Sequence, residues 1–284
     1  MRHVTQKLKP IFTELCPPAL ARWLRSAAAR AATGTANQRR FEGDYASWQE
    51  AAARSSGYDA AVIFEKTRAA ILKVRNGEAA FERDAVTFDR PEYPLFLIAS
   101  LLHVAAARAG RLSILDFGGA LGSSYYQCRT FVSAVPDLRW AVVEQPHYIA
   151  YGQAELQTDV LRFHPTIDDC VRVEKPNVAL LSGVLHCIER PYEIIEQIIA
   201  HRLDHVIVDR QPLMPPGSAA QDRVCVARIP ASIYESSYPL WLLDESRFRA
   251  AWAREYELVA EAEGAPMPTH LGQLRRRQML FSRR

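Results

Sequence analysis

The residues best placed for chemistry sit in one short run, Asp116-Phe117-Gly118-Gly119-Ala120-Leu121-Gly122. An apolar stretch, Ile114–Phe117, leads into it, and a helical stretch begins near Ser123-Ser124. This is a strand, a glycine turn and a helix start. Glycines let a backbone turn tightly and approach a ligand closely, and a helix start offers free N–H groups. A dinucleotide fingerprint would need G-x-G-x-x-G, but from Gly118 those positions hold Gly118, Ala120 and Ser123. An acid two residues before the first glycine suits a cationic ligand carrying an amino group and a sulfonium, not a pyrophosphate. The next apolar stretch, Trp140–Glu144, ends in an acid where the two ribose hydroxyls of an adenosine would be held. Asp168 and Asp169 follow a weaker strand at Leu161–Phe163 and read equally as adenine contacts or as a helix cap.

Further along, Val178–Ser182 runs into Gly183-Val184-Leu185-His186, and Val206–Asp209 runs into Arg210. Ser182 falls at the ligand edge. His186 is a candidate base for removing a hydroxyl proton, or a structural histidine with its needs met. Arg210 reads as a binder of a phosphate or uronate, or as half of an ion pair. Tyr234, Tyr238 and Trp241 fall in an insertion before the last helix, where they would stack on a sugar as part of a lid or fill core. His201 and His205 lack a third ligand nearby, so no metal is expected. No N/D-P-P-Y string and no Pro-Cys pair occurs where amine or cytosine methylation would need one. The run Arg275–Arg277 reads as charge guarding an edge strand.

The elements that must position these residues follow from periodicity. Short apolar strands alternate with helical stretches at Ser124–Val135, His147–Leu156 and Tyr192–His201, the pattern of a parallel, doubly wound α/β sheet. After a helix at Glu245–Ala253, strands Tyr256–Ala262 and Gln278–Ser282 have only a short connection and should pair antiparallel. An antiparallel last strand on a parallel sheet is the ending of the Rossmann-like class I methyltransferase fold. Upstream, residues 41–110 read as a helical prelude and residues 111–284 as the α/β domain.

At these positions the sequence resembles an uncharacterised bacterial family of class I S-adenosylmethionine-dependent methyltransferases often found among surface-polysaccharide genes. The strings LDFGGALGSSYY, VVEQPHYIAYG, LLSGVLHCIERP, VIVDRQPL and IYESSYPLWLL carry the likeness, with FEGDYASWQEAAARSSGYD and ERDAVTFDRPEYP before them. It covers residues 41–284. The resemblance implies S-adenosylmethionine as cofactor, with Asp116, Gly118, Gly119, Ala120 and Gly122 around its methionine part, Glu144 on the ribose, and a sugar or glycan precursor as acceptor. Ala120 departs from the usual acid-x-Gly-x-Gly-x-Gly, and a methyl there strains the turn if the backbone needs a positive φ. The competing reading is therefore a binding or scaffold protein that kept the fold and lost the reaction.

Composition bounds the rest. At 49% hydrophobic and 24% charged residues over 284 positions, the chain can bury a sizeable core. Residues 1–40 carry eight Lys/Arg against the single acid Glu14, which leaves the remainder acidic although the whole chain is +3. That balance argues against nucleic-acid binding by the main domain. The basic arm, with Leu8, Ile11, Phe12, Leu15, Leu20, Trp23 and Leu24 at helical spacing, would lie on an anionic membrane surface, or else pack on the body or fray in solution. Five scattered cysteines and the lack of an apolar leader point to a reducing cytoplasm.

Overall fold

The computed structural model describes residues 40–56, 60–217, 221–229 and 236–284. Nearly all of the basic arm, and Tyr234 with it, lies outside them. In chain order the elements are β1 (Phe41–Tyr45), α1 (Trp48–Ala53), α2 (Ala60–Arg75), β2 (Phe81–Arg83), β3 (Val86–Phe88), α3 (Leu95–Ala107), β4 (Arg111–Phe117), α4 (Ser123–Val132), β5 (Asp137–Val143), α5 (Pro146–Tyr151) and β6 (Leu161–His164). There follow α6 (Ile167–Glu174), β7 (Val178–Ser182), α7 (Pro191–Ala200), β8 (His205–Met214), β9 (Arg223–Ile229), β10 (Ser236–Asp244), α8 (Glu245–Ala253), β11 (Tyr256–Glu263), β12 (Met267–Thr269) and β13 (Gly272–Arg283).

The main sheet runs β6-β5-β4-β7-β8 with every neighbour parallel. Beyond β8 comes β13, antiparallel to both β8 and β11. This is the strand order and direction of the class I methyltransferase sheet, with the antiparallel last strand that the short C-terminal connection predicts.

The inner strands are apolar almost throughout because both faces are covered. Alternation sorts their side chains to the two sides. Leu112, Ile114, Trp140, Val142, Val178, Leu180 and Ile207 join one core cluster, with Ile71 and Val74 of α2 and Leu97, Leu101 and Val104 of α3. Leu115, Ala141, Val143, Ala179, Leu181, Val206 and Val208 join the other, with Ile195 and Ile198 of α7 and Phe248 and Trp252 of α8. Asn177 ties the entry to β7 onto β4, accepting from the Ser113 N–H at 2.8 Å and donating to the Arg111 carbonyl at 3.1 Å.

Three features differ from the sequence reading. The segment 41–110 is not wholly helical: β1 pairs with β9, and β2 and β3 form a hairpin. The stretch read as a lid is in large part strand β10, which pairs antiparallel with β9 and meets β8 in parallel at Leu243↔Leu213. Its alternation, with Leu240 and Leu242 buried and Trp241 half-buried, is a strand's period of two. Finally, Arg275–Arg277 lie inside β13, flanked by β8 on one side and by β11 and β12 on the other, so they guard no edge. Arg277 is tolerated there because Glu245 (3.0 Å) and Glu263 (2.8 Å) take its guanidinium.

Among the described residues no helix is long and apolar enough to cross a membrane. Trp252 is fully buried, stacked on Phe281 at 5.8 Å. Trp252→Ala should cost about 3–5 kcal/mol in denaturant unfolding, whereas Leu95→Ser, at a side chain 69% exposed, should change stability by no more than about 0.5 kcal/mol.

Candidate functional site at the carboxyl edge of the sheet

Strand β4 ends at Phe117, and the turn that follows is built to pass close over Asp116. Gly118 has φ +71°, and a β-carbon there would lie 2.3 Å from a Val184 methyl. A β-carbon on Gly119 would lie 2.5 Å from the Asp116 Oδ2. Glycine is required at both. Gly122, at φ +90°, is the left-handed residue from which α4 starts. Ala120 has φ +51°, so the middle position does require the conformation glycine favours, and the alanine bears it.

Asp116 is 1% exposed. The Trp140 indole N–H donates to its Oδ2 at 2.9 Å, while Oδ1 has no partner among the described residues. Burial pushes this carboxyl up to about 7, against the pull of the Trp140 N–H and of Arg210. Glu144, one residue past β5, is half-buried. It too is raised to about 7, first by burial and further by the charge of Asp116.

The end of β7 and the middle of β8 supply a polar chain. The Ser182 hydroxyl donates to Asp209 Oδ2 at 2.7 Å, the Arg210 Nε–H donates to the Ser182 Oγ at 3.2 Å, and the Gln278 amide donates to Asp209 Oδ1 at 2.7 Å. Arg210 itself has φ +54° in the middle of β8. Such backbone costs about 1–3 kcal/mol and concentrates at functional sites. His186 lies in a single 3-10 turn, Leu185–Cys187. Burial is the main cause that lowers it to about 4, helped by Arg210 and Arg276 and opposed by Asp84 and the Gln211 amide, and its Nδ1 has no hydrogen-bond partner among the described residues.

Sequence reasoning missed the β2–β3 hairpin, which brings Glu82 and Asp84 to this edge. Asp84 (φ +53°) and Ala85 (φ +64°) form a two-residue turn. Glu82 is 3% exposed, accepts from the Ala85 N–H at 3.2 Å and takes the hydroxyl of Ser123 at the start of α4. Burial raises it to about 7, while Ser123 and Arg210 hold it down. The only signal was an acid just ahead of a hairpin whose turn dipeptide, Asp-Ala, is not one of the Gly-containing pairs that announce such a turn.

The structure thus gathers Asp116, Gly118, Gly119, Ala120, Gly122, Glu144, Ser182, His186 and Arg210 along one edge. Asp168 does not join them. It is exposed in the first turn of α6 and pairs with His201 at 2.8 Å. Tyr238 sits on β10 against the small core cluster around Phe41, Leu240 and Leu242. Trp241 stacks on Trp48 at 5.9 Å and donates to the Glu189 carbonyl at 3.1 Å. Among the described residues no three of His, Cys, Asp and Glu are grouped to hold a metal ion.

No protein-family profile matches the chain, and no curated protein sequence matches it. Solved structures of similar shape exist. The N-terminal domain of EvdMO1, crystallised with S-adenosylhomocysteine and D-fucose, is 14% identical over 80% of this chain and 98% of its own, with a TM-score of 0.48. CalS10, an amino pentose methyltransferase from Micromonospora echinaspora bound to S-adenosylmethionine, is 15% identical over 68% of this chain and 91% of its own, at 0.43. The mitomycin 7-O-methyltransferase MmcR is 18% identical over 66% of this chain and 54% of its own, at 0.40.

Two outcomes follow from the strained turn and the buried acids. Ala120→Gly should raise unfolding stability by about 1 kcal/mol by releasing the left-handed alanine. Glu82 is raised in the folded state, so its contribution is fully present below the ordinary Glu range, near 4, and is lost as pH climbs through about 7. Glu82→Gln should therefore flatten the fall in melting temperature between pH 5 and pH 8, which differential scanning calorimetry reads directly.

Proposed function

We propose that the chain is an S-adenosylmethionine-dependent methyltransferase that methylates a hydroxyl of a sugar or glycan precursor. The observation that carries this reading is the supply of buried acid around the glycine turn: Asp116 and Glu144 lie together, both raised to about 7, with an Asp116 oxygen left unpaired. A buried carboxyl in that state gains most from a cation. The cofactor brings two positive centres, its amino group and its sulfonium. Asp116 and the turn Gly118–Gly122 would hold the methionine part, Glu144 the ribose hydroxyls, and Ser182 the wall toward the acceptor.

When bound, the cofactor supplies an activated methyl group. The chain's own residues must orient the attacking hydroxyl, exclude water and take its proton. His186 remains neutral through the physiological range, and its Nδ1, enclosed and without a partner among the described residues, would accept from a hydroxyl brought against it. Glu82, tuned close to neutrality, is the stronger proton acceptor at the same edge. Arg210 would orient the acceptor. The sugar acceptor rests on the sequence resemblance to the surface-polysaccharide family. The competing reading, a protein that kept the fold and lost the reaction, starts from Ala120, which holds the left-handed conformation that glycine favours.

Isothermal titration with S-adenosylmethionine tests this reading. Binding should appear, should vanish in Asp116→Ala, and should strengthen between pH 6 and pH 8 as the acids ionise, by up to about tenfold per unit for each proton released. A flat titration at millimolar cofactor would dismiss the methyltransferase assignment. With the acceptor in hand, His186→Ala and Glu82→Gln should each lower kcat by about 100-fold or more if that side chain takes the proton.

A further inference from the structure

The carboxyl edge is divided by charge. The acids Asp116 and Glu144 occupy the half nearest β4 and β5. The other half, where β8 pairs with β13 and the β2–β3 hairpin comes near, collects guanidinium groups, with Glu82, Asp84 and Asp209 set among them.

Arg210 stands on β8, and Arg276 on β13 is paired with Pro212, two residues further along β8. The two cations act on each other. Arg276 is exposed, and its charge is made more costly by partial desolvation of its stem and head, then by Arg210, and further by Arg83 and Arg40, while Asp84 favours it. Most of the cluster has other partners: Arg83 pairs with Glu92 at 3.0 Å. Arg210 approaches Asp209 at 3.5 Å, but that carboxylate already receives Ser182 and Gln278. Arg276 has no carboxylate within ion-pair distance among the described residues, and its one polar contact is with the Met267 sulfur at 3.9 Å.

The backbone keeps this face open. Gly183, at φ +65°, lies beside the Arg210 guanidinium, where a β-carbon would sit 3.6 Å from its terminal nitrogen. The left-handed backbone at Arg210 is a local cost that core packing does not require, because this side chain is 35% exposed. His186 lies between the halves and is influenced by Arg210, Arg276 and Asp84 together.

We propose that Arg210 and Arg276 form an anion subsite that takes a phosphate or diphosphate ester, so that the acceptor is a phosphorylated, activated sugar and not a neutral glycan. Two guanidinium forks match phosphate oxygens in number and geometry, and a diphosphate can engage both at once. Calling this anion part of a methyl acceptor rests on the methyltransferase reading. The subsite itself does not.

The test is isothermal titration of the full chain, saturated with S-adenosylhomocysteine, using inorganic pyrophosphate, a UDP-hexose, farnesyl diphosphate and free N-acetylglucosamine. Pyrophosphate should bind the wild type, lose about tenfold or more in Arg276→Gln and in Arg210→Gln, and keep part of its affinity in Arg276→Lys. Binding should weaken as salt rises. A UDP-hexose that binds more tightly than pyrophosphate assigns the diphosphate to a nucleotide, tighter farnesyl diphosphate assigns it to a lipid carrier, and equal affinity assigns recognition to the diphosphate alone. Pyrophosphate binding that is absent, or equal in wild type and Arg276→Gln, overturns the subsite. So does free N-acetylglucosamine binding as tightly as the diphosphates. Calorimetric melting of Arg276→Gln within about 2 °C of wild type shows that a loss is local. Cofactor binding is measured in parallel on the wild type: its absence, with pyrophosphate behaving as expected, removes the methyltransferase reading and leaves the anion subsite standing.

Discussion

A carboxyl group removed from water and only half satisfied sets the terms for everything at the carboxyl edge of this sheet. Burial without full pairing costs several kcal/mol, and Asp116 meets that cost through contacts that are hard to change. Trp140, on the neighbouring strand β5, must present its indole N–H to one oxygen. Gly119 must lack a side chain, and Gly118 must leave room for Val184 from the loop after β7. The loops of β4 and β7 therefore interlock over one acid, and the direction in which α4 leaves the turn follows from the same packing.

Strand β8 carries the parallel sheet into the basic half of this edge. Its first residues belong to the parallel sheet beside β7, and its last two join β10 and hence β9 and β1. Arg210 lies at the change of partner, where the backbone takes the left-handed conformation. The polar chain through Ser182, Asp209 and Gln278 holds the strands β7, β8 and β13 in step at this point. A displacement of β13 would thus be felt at Ser182 through two hydrogen bonds.

How much of this was legible depended on whether a signal was local. Strand Val178–Ser182 and helix Glu245–Ala253 agree with the sequence to the residue, since an unbroken apolar run and an Asp244 cap mark them. The glycine turn and its acid were legible because positive φ leaves a mark in residue type. Other features depended on distant partners. Asp168 looked like a ligand by its place after β6, yet His201 across on α7's end was there to pair with it. Arg275–Arg277 looked like charges guarding an edge because the last strand was expected to begin at Gln278; β13 begins at Gly272, so the run lies inside it, paired with β8 and reaching β11 at Arg277. Glu82 could not be weighed at all, because only the fold brings it to Ser123 and Arg210.

The pairing of β1 with β9 sets Phe41 opposite Ala227. Contacts between residues so far apart in sequence must repay a large loop-closure entropy, and chains rich in them assemble slowly. In the folded chain β1 covers the outer edge of β9, whose other side is taken by β10. Without β1 that edge would present unpaired backbone groups able to recruit a strand from another chain.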